Sequence, residues 1–141
     1  MIVVDAGPLV ALVNHRDDAH QTCREWYQSV DPRSLVVPAP VLAEAFYLIE
    51  KYLGPTVEAD FIDDLAQGSY GRVVGLATAD LQRMSVLVRQ YSDFPLGGSD
   101  ASVIAVAEHY GWTQICTIDR RHFSVVTPQH AAAFDLVPAQ L

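Results

Sequence analysis

The chain has 141 residues, half of them hydrophobic, so it is long enough to bury one core and too apolar for a disordered protein. Its 17 acidic residues outnumber its 9 lysines and arginines, and the net charge of −8 excludes a nucleic-acid binder that relies on a broadly basic surface. The two cysteines, Cys23 and Cys116, give neither a disulfide framework nor a zinc spacing, which together with the lack of a long apolar segment predicts a cytoplasmic protein.

Short runs rich in β-branched residues alternate along the chain with segments of helical periodicity. The predicted strands are residues 2–4, 35–37, 73–76, 114–118 and 134–137. The predicted helices are residues 8–14, 19–30, 40–53, a segment opening at 56, and residues 78–91 and 99–110. The helices opening at 56 and 78 are predicted to bury Phe61, Ile62, Leu65, Leu81, Met84, Val88 and Tyr91. This alternation predicts an α/β protein, a three-layer α/β/α fold around a central, mostly parallel sheet, forming a single domain over residues 1–141.

Two of the predicted strands run into an aspartate. Asp5 ends the first strand and Asp119 ends the fourth. In open parallel sheets, ligands bind beyond the carboxyl ends of the strands, which is where both side chains are expected. Each also has a structural interpretation. Asp5 could be the N-cap of the helix that follows it, and Asp119 could be a turn residue paired with a neighbouring arginine.

Two further acids lie in helices. Glu44 is the one charged residue of the segment VLAEAFYLI, and a carboxylate in an apolar helix is costly to bury unless it is paired or bound to a cation. It could instead reach solvent at the helix edge. Asp100 opens the helix after LGGS, where the helix dipole favours an acid, and it shares a face with Ile104 and Ala107 that points along the sheet.

The predicted topology brings all four acids to one rim of the sheet. Two carboxylates 4 Å apart repel each other by about 4 kcal/mol at an effective dielectric constant of 20, so some must protonate or a cation must neutralise them. All-oxygen ligation without His or Cys suits Mg²⁺ or Mn²⁺. Such ions bridge to phosphates and activate water, which would let an acidic protein bind a polyanion locally.

Four segments carry a family resemblance: VVDAGPLVAL, VLAEAFYLI, LGGSDASVIAVAEHYG and CTIDRRHF. With their acids Asp5, Glu44, Asp100 and Asp119, they resemble the acidic motifs of PIN domains, and they look most like the VapC-type ribonuclease toxins of bacterial toxin–antitoxin pairs. The similarity extends over nearly the whole chain.

That resemblance implies a Mg²⁺- or Mn²⁺-dependent endoribonuclease that hydrolyses RNA to leave a 5′-phosphate and a 3′-hydroxyl. It implies that Asp5 and Asp100 hold the metal with Asp119 close by, and that Glu44 completes the acidic catalytic pocket. It also implies a homodimer, and inhibition by a small antitoxin whose tail occupies the site.

The residues around Asp119 carry further interpretations. Thr117 matches a hydroxyl position often seen near the site of such proteins. Arg120 and Arg121 could bind an RNA phosphate, or form salt bridges to the surplus acids. His122 is interpreted as a loop histidine packed against Phe123 rather than as a proton shuttle. Some relatives carry another acid just after the fourth position, so the number of metal ions stays open.

Two other functions remain open at this point. The first is a phosphohydrolase or phosphoacceptor domain with Asp5 as nucleophile, although such sites usually have a second Asp two residues on, where this chain has Gly7, and a nearby lysine, whereas Lys51 lies mid-helix. The second is a non-catalytic interaction module on the same fold. Metal-stimulated RNA cleavage would separate the ribonuclease from both.

Overall fold

A five-stranded sheet forms the centre of the computed structural model, which describes residues 1–139. The strands are β1 (Ile2–Val4), β2 (Leu35–Pro38), β3 (Arg72–Val74), β4 (Gln114–Cys116) and β5 (Asp135–Val137). They lie in the order β3-β2-β1-β4-β5, and all four pairings are parallel. The predicted parallel sheet is therefore confirmed, with β1 at its centre.

Helices connect the strands and flank the sheet. Those in the described residues are α1 (Ala6–Val13), α2 (His20–Ser29), α3 (Ala39–Leu53), α4 (Pro55–Ala66), α5 (Thr78–Gln90), α6 (Gly98–Tyr110) and α7 (Arg120–Ser124). A 3₁₀ turn, Pro32–Ser34, precedes β2. The three-layer α/β/α prediction is confirmed. Within residues 1–139, no helix is both long enough and apolar enough to cross a bilayer.

The core is built from β-branched strands and one deeply buried helix. Val3 pairs with Val36 on one side and with Ile115 on the other, and all three are completely buried. Residues 101–107 of α6 are buried around the whole circumference of the helix. Alanines at 101, 105 and 107 have little side chain to accommodate, so α6 can pack closely against its neighbours, which include α3, α5 and β1. The N-terminal end of α6 is thereby held beside the central strands.

Three predicted core residues are exposed instead. Ile62, Leu81 and Val88 all face solvent, so their predicted burial was wrong. Because α5 packs mainly against α6, it buries only a narrow stripe that contains Asp80 and Leu87. Leu81 and Val88 each lie one residue beyond that stripe, about 100° around the helix. Phe61, Leu65, Met84 and Tyr91 lie in or against the core, as predicted.

The connection into β3 requires a glycine at one position. Gly71 has φ +79°, and a Cβ placed there would overlap the carbonyl oxygen of Leu35. Gly68 has a similar φ of +80°, but its Cβ would meet no atom within 4 Å. The two glycines therefore share a backbone conformation and differ in the space around them.

We expect Gly71→Ala to lower the free energy of unfolding by at least about 3 kcal/mol, since backbone strain and overpacking both contribute. Gly68→Ala should lower it by only about 1 kcal/mol, from the left-handed backbone alone. Urea unfolding followed by circular dichroism measures both values. Equal losses in the two variants would show that contact with the Leu35 carbonyl does not matter.

Candidate active site

Asp5 is a buried acid at the end of the central strand. Its backbone N–H donates to the carbonyl of Cys116 (2.9 Å), which continues the β1–β4 ladder by one step. Its Oδ1 accepts from the N–H of Ala6 (2.8 Å), and its Oδ2 accepts from the hydroxyl of Thr117 (2.9 Å). Asp5 is therefore the N-cap of α1, which begins at Ala6 rather than at Pro8. The cap and the buried hydroxyl together fix the direction of its carboxylate.

The other three predicted acids face the same space. Asp100 lies in the first turn of α6, Asp119 follows β4 and caps α7, and Glu44 lies on α3. With Asp5 they line one cleft of about 520 Å³ at the carboxyl edge of the sheet. Glu44 is exposed, so the interpretation that it reaches solvent and the interpretation that it faces an acidic site both hold.

Burial and mutual repulsion disfavour charge on the two inner acids. The pKa of Asp5 is raised to about 6, mainly by burial and in smaller part by the nearby carboxylates of Asp100 and Glu44, against the opposing effect of its hydrogen bonds to Ala6 and Thr117. Burial also raises the pKa of Asp100, with Glu44 and Asp119 adding to the effect, while His122 opposes it. The charges of neighbouring carboxylates across the cleft therefore contribute to the raised pKa of both Asp5 and Asp100.

His122 is a site residue that the sequence interpretation placed wrongly. It lies on α7 rather than in a loop, and its ring stands edge-on to Phe94, with centroids 5.5 Å apart, rather than against Phe123. Its Nδ1 is 3.1 Å from Oδ2 of Asp119 and 3.7 Å from Oδ2 of Asp100. The i, i+3 spacing from Asp119 could have indicated this pairing, but only if a helix had been predicted there.

The two arginines after Asp119 diverge. Arg120 donates to the carbonyls of Leu136 and Pro138, next to β5, and does not line the cleft, so its predicted contact with substrate gains no support. Arg121 is exposed, and its Nε lies 3.4 Å from Oδ1 of Asp119. Thr117 is buried and contacts the site through its bond to Asp5.

The chemical type of the donor atoms at the cleft, carboxylate oxygen, matches the preference of a hard divalent cation. Four carboxylates supply oxygen ligands, and a buried carboxylate whose pKa is raised is one that a cation would return to its charged form. Within residues 1–139, no three His, Cys, Asp or Glu side chains already stand at metal-binding spacing. Glu44 is exposed, so its side chain can turn towards an ion held at Asp5 and Asp100, whereas Asp119 is partly exposed and would first have to release its contacts to His122 and Arg121.

Comparison with known proteins shows the family to which this chain belongs. The PIN domain family matches residues 2–127. The chain belongs to the PIN domain family. Ribonuclease VapC26 of Mycobacterium tuberculosis is 28% identical over 137 residues, which cover 97% of this chain and all of that protein. The predicted resemblance to VapC-type PIN domains is thus confirmed.

Solved structures show the same fold. VapC20 of Mycobacterium tuberculosis, described as a sarcin-ricin loop cleaving toxin, superposes with a TM-score of 0.78 at 19% identity and covers 86% of this chain and 92% of its own. The DNA-bound VapBC complex of Salmonella typhimurium gives a TM-score of 0.71 at 15% identity, with 96% of each chain covered.

We expect Asp5→Asn to stabilise the metal-free PIN domain by about 3 kcal/mol at pH 7.5. The amide oxygen of Asn can still accept from the N–H of Ala6, and its amide nitrogen can donate to the Thr117 hydroxyl, so both contacts remain while the buried charge is lost. Because the folded-state pKa of Asp5 is about 6, above its ordinary value of 3.8, ionisation costs stability as the pH rises through 6, and no cost remains below 3.8. The advantage of the variant should therefore vanish towards pH 4.

Urea unfolding in EDTA across that pH range measures the difference. Asp60→Asn, at an exposed acid of α4, is the matched control and should leave stability unchanged. A stabilisation by Asp5→Asn that is the same at pH 4 and pH 7.5 would contradict the assignment of a raised pKa to this carboxyl.

Proposed function

We propose that this PIN domain is a Mg²⁺- or Mn²⁺-dependent endoribonuclease, the cytoplasmic toxin of a type II toxin–antitoxin pair, with a single nuclease domain over residues 1–141. The observation that carries the proposal is the cleft itself: Asp5, Glu44, Asp100 and Asp119 come from separate segments of the chain and line one space. The similarity to a protein named a ribonuclease, over its whole length, supports the same conclusion.

Asp5, Asp100 and Asp119 are the residues that would hold the ion. A bound divalent ion supplies an activated water and neutralises phosphate charge. Asp5 is already oriented by Ala6 and Thr117, so its carboxylate needs no reorganisation. Asp119 is shared with His122 and Arg121, and its carboxylate would have to turn from them.

The remaining carboxylate has a separate role in this proposal. Glu44 is exposed on the cleft wall and carries no hydrogen bond or ion pair to another described residue that would restrain it. It is placed to accept the proton that water loses as it attacks the RNA phosphate. Arg121, exposed at the rim, could then contact a neighbouring phosphate.

The phosphoacceptor alternative loses its remaining support in the structure. The ammonium of Lys51 lies 5.8 Å and 5.4 Å from the ring centroids of Tyr47 and Tyr52, and Lys51 does not line the cleft. Gly7 lines the cleft where a second aspartate would be needed. Asp5 therefore lacks both partners that a phosphorylated aspartate requires.

A small antitoxin and a second copy of the chain are the proposed protein partners. The similar structures include toxin–antitoxin complexes such as the VapBC complex of Salmonella typhimurium. An acidic cleft is complementary to a basic peptide segment, so an antitoxin tail carrying Arg or Lys could occupy it in place of the ion and RNA. Homodimerisation rests on the family resemblance.

We expect Mg²⁺-stimulated RNA cleavage to fall by at least about 100-fold in Asp100→Asn, because losing one charge weakens ion binding without changing side-chain shape. The rate is measured by cleavage of a labelled RNA at millimolar Mg²⁺, and the rate in EDTA is subtracted as the metal-free background. Asp60→Asn is again the control and should cleave at the wild-type rate. Undiminished cleavage by purified Asp100→Asn and Asp5→Asn would rule out the proposed metal-binding acids.

Expression of the chain alone in a bacterial host should arrest growth, because RNA hydrolysis stops translation. The product of the small reading frame beside its gene should restore growth when it is co-expressed. Colony counts with separately inducible plasmids measure both effects, and the Asp100→Asn chain should not arrest growth at matched protein level. Arrest by that variant would point to toxicity without catalysis.

A further inference from the structure

Helix α3 leaves two large aromatic side chains in solvent, of which Tyr52 lines the cleft. Tyr47 is 62% exposed and Tyr52 is 63% exposed. Tyrosines usually bury most of their ring in a core or an interface, so two exposed rings close together on one helix suggest a binding surface. Lys51, the single lysine of the chain, lies between them in sequence.

Tyr52 is part of the cleft wall. Glu44, Leu48 and Tyr52 follow one another at a spacing of four residues, which places them on one stripe of α3, and all three line the cleft. Eight residues of helix span about 12 Å, so the Cα of Tyr52 lies about that far along α3 from the Cα of Glu44. A nucleic-acid strand leaving the acidic centre along α3 would reach Tyr52 within a few nucleotides.

Lys51 connects the two rings and adds positive charge. Its Nζ lies 5.4 Å from the ring centroid of Tyr52 and 5.8 Å from that of Tyr47, within the range of a cation–π interaction. These contacts restrain both rings, and within residues 1–139 the ammonium group makes no hydrogen bond that would occupy its N–H groups. In a chain of net charge −8, a cation at this position favours an anionic ligand beside the cleft.

We propose that Tyr52, Lys51 and Tyr47 form an RNA-binding platform that holds an unpaired stretch of the substrate beside the scissile phosphate. The base next to the cleft stacks on Tyr52, Lys51 contacts the phosphate that follows, and Tyr47 receives a second base. This inference rests on the proposed ribonuclease function and adds a property to it, since a base can stack on Tyr52 only if it is splayed from its own helix.

The chemistry of the surface favours RNA over a protein partner. Exposed aromatic faces interleaved with a cation are the pattern by which proteins hold single-stranded nucleic acid, where each stacked base contributes to affinity whatever its identity. A helix-binding groove would instead present aliphatic side chains at helical spacing, and here the exposed groups are phenol rings and an ammonium.

The test uses the full chain and two RNA substrates, one with the scissile bond in the middle of a long single-stranded loop and one shortened to a dinucleotide that contains only that bond. We expect Tyr52→Ala to raise the KM for the long substrate about tenfold with kcat little changed. Tyr52→Phe keeps the stacking face and should match the wild type. On the short substrate, which does not reach the platform, Tyr52→Ala and wild type should be equal.

Tyr110→Ala is the matched control. Tyr110 is 47% exposed at the C-terminal end of α6, whose N-terminal end carries Asp100, so it lies away from the cleft. This variant should bind and cleave both substrates as the wild type does. Lys51→Met should reduce the slope of log affinity against log salt by about 0.7, the loss of one contact to a single-strand phosphate.

The outcomes separate this inference from the function on which it rests. If the wild type cleaves RNA and Tyr52→Ala has the same KM on the long substrate, the platform is wrong and the ribonuclease stands; weaker antitoxin binding by that variant would then assign the surface to the antitoxin. If the wild type cleaves no RNA, the proposed function fails. Fluorescence anisotropy with a labelled single-stranded oligoribonucleotide then tests the platform alone: weaker binding by Tyr52→Ala supports it, and equal binding overturns it.

Discussion

The burial and mutual repulsion of carboxylates gathered at one edge of a parallel sheet are the constraint on which the rest of this structure depends. The pairing of β1 with β4 places Asp5 beside the segment that carries Thr117 and Asp119, and the packing of α6 against the central strand adds Asp100. The cost appears in the pKa of Asp5, which burial raises to about 6. A protein that keeps such groups together is less stable at neutral pH than it would be without them, so the fold must supply the difference elsewhere.

The stability comes from the elements directly behind the acids. Val3 and Ile115 are fully buried in the central strands, and residues 101–107 of α6 are buried on every side. Because α6 is enclosed, its first turn cannot move away from β1 to relieve the repulsion between Asp100 and Asp5. The same packing that offsets the electrostatic cost therefore fixes the positions of Asp5 and Asp100, so that only the side chains of Asp119 and Glu44 would have to turn towards an ion.

The sequence was sufficient for the features that depend on local pattern and chain order. β-Branched runs separated by helical periodicities predicted the parallel sheet, and acids following the strands predicted where Asp5 and Asp119 lie. It was insufficient where a side chain has a choice of partners that only the tertiary structure decides. His122 pairs with Asp119 because α7 forms, and Arg120 turns to carbonyls near β5. Leu81 and Val88 are exposed because α5 packs mainly against one helix.

The distribution of charge explains how an acidic protein can hold a polyanion. With 17 acids against 9 lysines and arginines, the chain has no broad basic surface to attract RNA at a distance. Under the proposed function, affinity would come from an ion at the cleft and from contacts that do not depend on long-range attraction. Stacking on an aromatic ring is such a contact, because salt screens charge pairs and leaves base–ring packing largely unaffected. The four carboxylates of the cleft would hold the ion, and the exposed tyrosines of α3 would provide the stacking surface. RNA binding would therefore depend on the ion and select for unpaired bases.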